Sequence, residues 1–184
     1  LDGREIGRPL LEPLEPVRRF RDSVAAARPI EVPTGGNVYW EAEAGIVFPG
    51  MEVGDDADAS GGRCVWQPSE STWGRSPGHV TWPLQIARAG QYRLWGRVLA
   101  PTPETDSFFV LASEHMDRLP PNRVAWHTGS GPTWRWVPVT LDLAGAPTVF
   151  DLPAGRSSLQ FRVREPGTRI DRLYLTTDPN RKPE

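Results

Sequence analysis

Glu41 and Glu43 stand two residues apart in the run Trp40-Glu41-Ala42-Glu43, inside a stretch that alternates apolar and polar positions. On an extended strand, that spacing puts both carboxylates on one face. Like charges so placed repel, and a hard divalent ion taking several oxygen ligands resolves the repulsion directly. A third carboxylate, Asp171, lies between Ile170 and Leu173 in the last apolar series, where a buried acid needs a partner. First and last strands of a sandwich often neighbour one another, so these three acids are candidates for one cation site. The alternative is a set of exposed carboxylates or arginine pairs. The run Asp56-Ala57-Asp58-Ala59-Ser60-Gly61 opens like a helix-flanked calcium loop. Gln67 stands where the bidentate glutamate belongs, however, and neither flank reads as a helix. It is read as a solvated turn, with backbone carbonyls just after Gly62 within reach of a nearby ion.

The eight tryptophans are the other chemical resource, because an indole face packs on the flat C–H patches of a sugar ring. Trp134 and Trp136 share parity with Pro138, Thr140 and Asp142, opposite the apolar series Val137, Val139, Leu141 and Leu143. At least one of them therefore escapes the core. The preceding Gly129-Ser130-Gly131-Pro132 is too small to cover a ring, so Trp134 is read as a stacking platform and Trp136 as structural. Trp73, in the polar loop Ser71-Thr72-Trp73-Gly74-Arg75-Ser76, is the second platform. Trp66 fits the same role but ends a strand candidate, and Trp126 beside His127 either lines such a cleft or pins it. Trp40 and Trp82 belong to apolar series and read as core. Arg169 can offer a fork of donors to a carboxylate, sulfate or diol, or pair with the acids around the cation. Asp106 can accept from sugar hydroxyls or form a turn. Arg93, Trp95 and Arg97 share one parity, a conceivable separate surface on a sheet.

Catalysis needs a constellation that is missing here. His79, His115 and His127 show no paired ligand spacing, and no serine sits in a Gly-x-Ser-x-Gly turn. Glu41 and Glu43 as an acid/base pair would have to face each other across a cleft, whereas they share one strand.

The elements that must hold these residues are short strands. The chain has 184 residues, roughly 46% apolar when Gly is counted and Tyr is not, within the globular range. With 18 Gly and 20 Pro, turns are frequent and long helices have little room. Alternating series recur at Val38/Trp40, Val80/Trp82/Leu84/Ile86, Tyr92/Leu94/Gly96/Val98, Val137/Val139/Leu141/Leu143 and Leu159/Phe161/Val163, separated by Gly and Pro turn signals. Roughly ten strands at such spacing predict an all-β antiparallel β-sandwich over residues 37–180. Residues 1–36 read as an N-terminal extension or linker with room for one helix, since Val17, Phe20 and Val24 keep helical spacing between Pro16 and Pro29. Residues 181–184 are a tail. The chain opens on Leu1 and looks cut from something longer, with no signal peptide in it. A formal charge of −2 supplies no net field for nucleic acid or an anionic membrane. No apolar run nears the ~18 residues of a membrane span. Lone Cys64 excludes an internal disulfide.

The ordered series Trp40-Glu41-Ala42-Glu43, Ala59-Ser60-Gly61-Gly62, Ala89-Gly90-Gln91-Tyr92-Arg93-Leu94, Asp106-Ser107-Phe108, Trp134-Arg135-Trp136, Leu152-Pro153-Ala154-Gly155 and Gly167-Thr168-Arg169-Ile170-Asp171 resembles carbohydrate-binding modules of families six and thirty-five, across about residues 38–178. The resemblance implies a jelly-roll sandwich with a structural calcium on Glu41, Glu43 and Asp171, and the Arg63 carbonyl as a further ligand. It implies a non-catalytic, monomeric, secreted module tethered to a catalytic domain that degrades polysaccharide. The family's ligand cleft lies in loops at one end, built from two aromatic residues and an Asn. Arg169 stands at the Asn position, and Gly131-Pro132-Thr133-Trp134 replaces a Gly-Gly-Trp turn. With Arg135 beside the platform, these departures lean toward an acidic or sulfated polysaccharide. A protein-interaction or structural sandwich would account for the same fold and exposed rings.

Overall fold

Alternation of period two becomes two packed sheets in the computed structural model, which describes residues 15–68, 78–112, 125–141 and 145–184. One sheet has six strands: β1 (Ile30–Val32), β3 (Ile46–Val47), β6 (His79–Ile86), β8 (Ser107–Ala112), β9 (Ala125–His127) and β12 (Gly155–Val163). Its order is β1-β6-β12-β8-β9, with β3 also pairing β6. The other has seven: β2 (Val38–Glu41), β4 (Glu52–Asp55), β5 (Arg63–Trp66), β7 (Gly90–Ala100), β10 (Gly131–Pro138), β11 (Val149–Leu152) and β13 (Arg169–Thr176). There β10-β7-β13-β5-β4 run in order, β2 pairs β13 and β11 pairs β7. The expected sandwich is therefore present.

The inward faces follow the sequence parity. Val80, Trp82, Leu84 and Ile86 of β6 and Leu159, Phe161 and Val163 of β12 meet Tyr92, Leu94 and Val98 of β7 and Ile170, Leu173 and Leu175 of β13 in one cluster. Stripping such side chains from water is the main stabilising term, roughly 1.5–3 kcal/mol for each. Trp82 meets Phe161 edge-on at 5.2 Å, and its indole N–H donates to the Ala42 carbonyl at 2.9 Å. That bond fastens the 3-10 turn Ala42–Ala44, which carries Glu43, onto the core.

Two features depart from the sequence reading. A helix, α1 (Glu15–Ala26), occupies the Pro-bounded stretch as the spacing predicts, yet Ile30–Val32, within the segment assigned to an extension, pairs in parallel with Leu84–Ile86. Val32 is buried there, so the edge of the six-stranded sheet is completed by a segment that three residues of alternation could not announce. One pairing is thus parallel, which the long connection through β2–β5 allows.

His79 opens β6, stacked on Phe48 with ring centroids 4.4 Å apart and opposite Arg162 of β12. Burial, with the Arg162 charge beside it, drives its pKa from 6.5 down to about 4. A group that folds neutral takes up its proton more readily when unfolded, so its contribution is complete above pH 6.5 and lost as pH falls toward 4. Urea melts should therefore show stability falling by about 1–2 kcal/mol between pH 7 and pH 5, and His79→Gln should flatten that slope.

Candidate functional site

The acidic cluster is assembled by three elements around one turn. Glu41 ends β2, Glu43 sits in the following 3-10 turn, and Asp171 lies in β13, which pairs with β2. Along β7, Ile170 faces Val98 and Arg172 faces Arg97, so Asp171 is the extra residue of a bulge. The turn Ser60–Gly62 presses against all three acids. The Ser60 N–H donates to Asp171 Oδ1 at 2.8 Å and its hydroxyl to Glu41 Oε1 at 3.1 Å, while Arg63 Nε approaches Glu43 Oε1 at 3.5 Å. Gly61 and Gly62 take φ of 63° and 75°, a left-handed pair that lets the chain double back so tightly.

Each carboxylate also has an arginine. Arg97 Nη1 pairs with Asp171 Oδ2, Arg172 Nε lies 3.0 Å from Glu41 Oε1, and Arg63 serves Glu43. Burial pushes the fully enclosed Asp171 carboxyl up, more than Arg97 and the Ser60 amide pull it down; nearby Glu41 adds to the rise. Glu41 Oε2 and Glu43 Oε2, by contrast, are buried and have no donor. Among the described residues no three His, Cys, Asp or Glu side chains form a group that could hold a metal ion. Glu41 Oε2 and Glu43 Oε2 are nonetheless charged oxygens without a donor, the kind of ligand a hard cation prefers.

The aromatic candidates divide. Trp134, half-buried, has the Arg97 guanidinium 5.6 Å from its ring centroid, and Trp66, also half-buried, has Arg169 at 4.5 Å. Arg169 Nη1 bonds Asp56 Oδ2 at 3.0 Å, so this arginine takes both a ring and a salt bridge. Burial would raise the Asp56 carboxyl, but the Asp58 amide, the Trp134 indole and Arg169 together hold it below its ordinary value. The Trp134 N–H is buried near Asp56 without a hydrogen bond of ordinary geometry. Trp126 leaves the set of platforms. It is wholly buried, donates to the Pro138 carbonyl at 2.9 Å and packs on Phe161 at 5.4 Å. The indole fills the space above Gly96, where a Cβ would come within 2.7 Å of its ring.

Asp106 serves the backbone. Its carbonyl accepts from the Thr128 N–H at 2.7 Å, and its carboxylate meets His127 Nδ1 at 3.1 Å. Arg135 turns back on its own loop, with Nη2 donating to the carbonyls of Thr128 and Gly129. Trp73 lies outside the described residues. On the outer face of the seven-stranded sheet, Arg172 sits 5.3 Å from the Tyr39 ring, Tyr39 stacks on Tyr174 at 4.2 Å, and Trp136 meets Tyr39 edge-on. A shallow depression of about 240 Å³ lies there between Ser60, Arg97, Trp136, Arg172 and Glu184. Arg97 is the residue that parity alone assigned to an open surface; its place against Asp171 follows from the bulge, which alternation does not reveal.

No protein-family model matches this chain, and no curated protein matches it in sequence. Solved structures share its fold. A GH26-CBM35 β-(1,4)-mannanase from Podospora anserina superposes with a TM-score of 0.61 at 19% identity, over 81% of this chain and 29% of that one. The chain thus spans under a third of that enzyme. A family 35 carbohydrate-binding module from Clostridium thermocellum gives 0.57 at 17% identity, covering 77% of this chain and 98% of the module. A family 6 module of Cellvibrio mixtus lichenase 5A, solved with cellotriose, gives 0.52 at 15%, covering 77% and 97%.

The Ser60–Gly62 turn supplies a direct check on how the site is built. A Cβ at Gly62 would meet nothing within 4 Å, so Gly62→Ala isolates the cost of the left-handed backbone. Chemical denaturation should show a loss of about 1–2 kcal/mol.

Proposed function

We propose that this domain is a non-catalytic carbohydrate-binding module that brings a tethered, secreted, polysaccharide-active enzyme to its glycan. The observation that carries this is fold likeness from end to end: the chain covers nearly the whole length of isolated family 35 and family 6 modules, one of them solved with cellotriose. Half-buried Trp134 and Trp66 are the stacking platforms, and Trp73 is a further one by its sequence context. Arg169, fixed over Trp66 and against Asp56, presents a planar cation beside a ring, a combination that favours an acidic or sulfated sugar. Asp106 keeps a carboxylate for sugar hydroxyls beside His127.

A structural calcium belongs to the same proposal. Of the four expected ligands, Glu41 and Glu43 supply the free charged oxygens and the Arg63 carbonyl is the further ligand, while both oxygens of Asp171 are taken by Ser60 and Arg97. The ion would neutralise two carboxylates that share one side of the turn, fastening β2 to the loop before β5. Support comes from Glu41 Oε2 and Glu43 Oε2, buried without a donor.

Two measurements test these parts separately. Titration of tryptophan fluorescence with a panel of neutral, uronic-acid and sulfated polysaccharides should shift the emission for at least one. Trp134→Ala should weaken that binding at least tenfold while circular dichroism stays native. A panel in which no glycan binds would leave the protein-interaction reading instead. For the ion, chelation should lower the melting temperature by on the order of 5 °C, because a ligand held only by the native state stabilises it by mass action. Melting that ignores both chelator and added calcium would remove the ion.

A further inference from the structure

We infer that Arg97 is a built-in counter-cation that holds Asp171 away from the proposed calcium, so that guanidinium and metal compete for this aspartate. The inference rests on the calcium part of the reading above and concerns this chain's own residues. Both oxygens of Asp171 are already engaged, Oδ1 by the Ser60 N–H at 2.8 Å and Oδ2 by Arg97. Its side chain has no solvent exposure, so the guanidinium is the counter-charge the burial demands. The glutamates differ. Their arginines approach Oε1 alone, and the Oε2 atoms lie buried and bare, with the Glu43 side chain only 9% exposed.

Arg97 is also held in place. Its Nη2 reaches the Asp58 carbonyl at 3.3 Å, the Trp134 ring lies beneath it, and its strand neighbours are Arg172 and Trp136. Ser60 bridges Asp171 to Glu41, and Arg97 stands in register with Arg172, the partner of Glu41, so a fixed cation on this side of the cluster opposes a divalent ion while it performs at Asp171 the neutralisation an ion would otherwise supply. Removing the guanidinium leaves Asp171 Oδ2 without its cation, in a residue that Ser60 ties to Glu41.

Calcium titration by calorimetry, together with melting in chelator and in excess calcium, tests this on the wild type, Arg97→Gln, Arg97→Lys and the double variant Arg97→Gln/Asp171→Asn. Arg97→Gln should bind calcium at least tenfold more tightly than the wild type, melt lower in chelator and recover more on calcium addition. Arg97→Lys should stay near the wild type. The double variant buries no unpaired charge, so it keeps the test alive should Arg97→Gln fail to fold; its calcium affinity should lie within about threefold of the wild type. Calcium affinity unchanged or weakened in Arg97→Gln, or lost in the double variant, overturns the inference. Binding by Arg97→Gln alone would sustain the role of Arg97 while removing calcium from the native chain.

Discussion

A carboxylate with no access to solvent sits in the strand that joins three others, and the surrounding structure is arranged to satisfy it. Asp171 occupies a bulge in β13, the strand that pairs with β2, β5 and β7. Leaving its charge unpaired would cost several kcal/mol, a large share of the roughly 5–15 kcal/mol that holds a domain folded. The amide of Ser60 and the guanidinium of Arg97 meet this demand from two sides. The consequence is structural: the turn before β5 and the middle of β7 are both tied to the last strand, and Glu41 at the end of β2 is drawn to the same place through Ser60.

The same economy of charge runs across the outer face of the seven-stranded sheet. Arg97, Arg169 and Arg172 each lie near one carboxylate and one aromatic ring. A planar guanidinium can do both at once, whereas an ammonium cannot stack and form a directed fork together. The abundance of arginine, 20 against the single Lys182, matches this use.

Much of the fold was legible because its signal is local. The series on β6, β7 and β12 alternate along the chain, and each alternation alone places one face in the core. Trp126 was not legible, since its burial depends on a missing side chain at Gly96, thirty residues earlier and in the opposite sheet. Strand β1 is too short to carry a pattern and draws its partner from a distant strand. The glutamate pair could be singled out by its charges, but not by a shared strand, since β2 ends at Glu41 and Glu43 sits in a 3-10 turn; the role of Arg97 could not, because a bulge breaks the parity on which such reading depends. For Arg169 the sequence offers a fork for a ligand or a pairing with the acids around the cation; the carboxylate it bonds is Asp56, which neither alternative names.

The guanidinium resting on Trp66 gives this end of the sandwich a particular thermodynamic character. On the proposal that Trp66 receives a sugar, the arriving ring would find the indole face already covered by a delocalised cation 4.5 Å from its centroid, and docking would exchange one flat partner for another. Little hydrocarbon would be newly dehydrated in such a swap, so the heat-capacity change of such an association would be small. Discrimination would then depend on what each ligand offers the displaced guanidinium beyond Asp56, to which it is already bonded: a negatively charged substituent would give it a second companion, a neutral one only water.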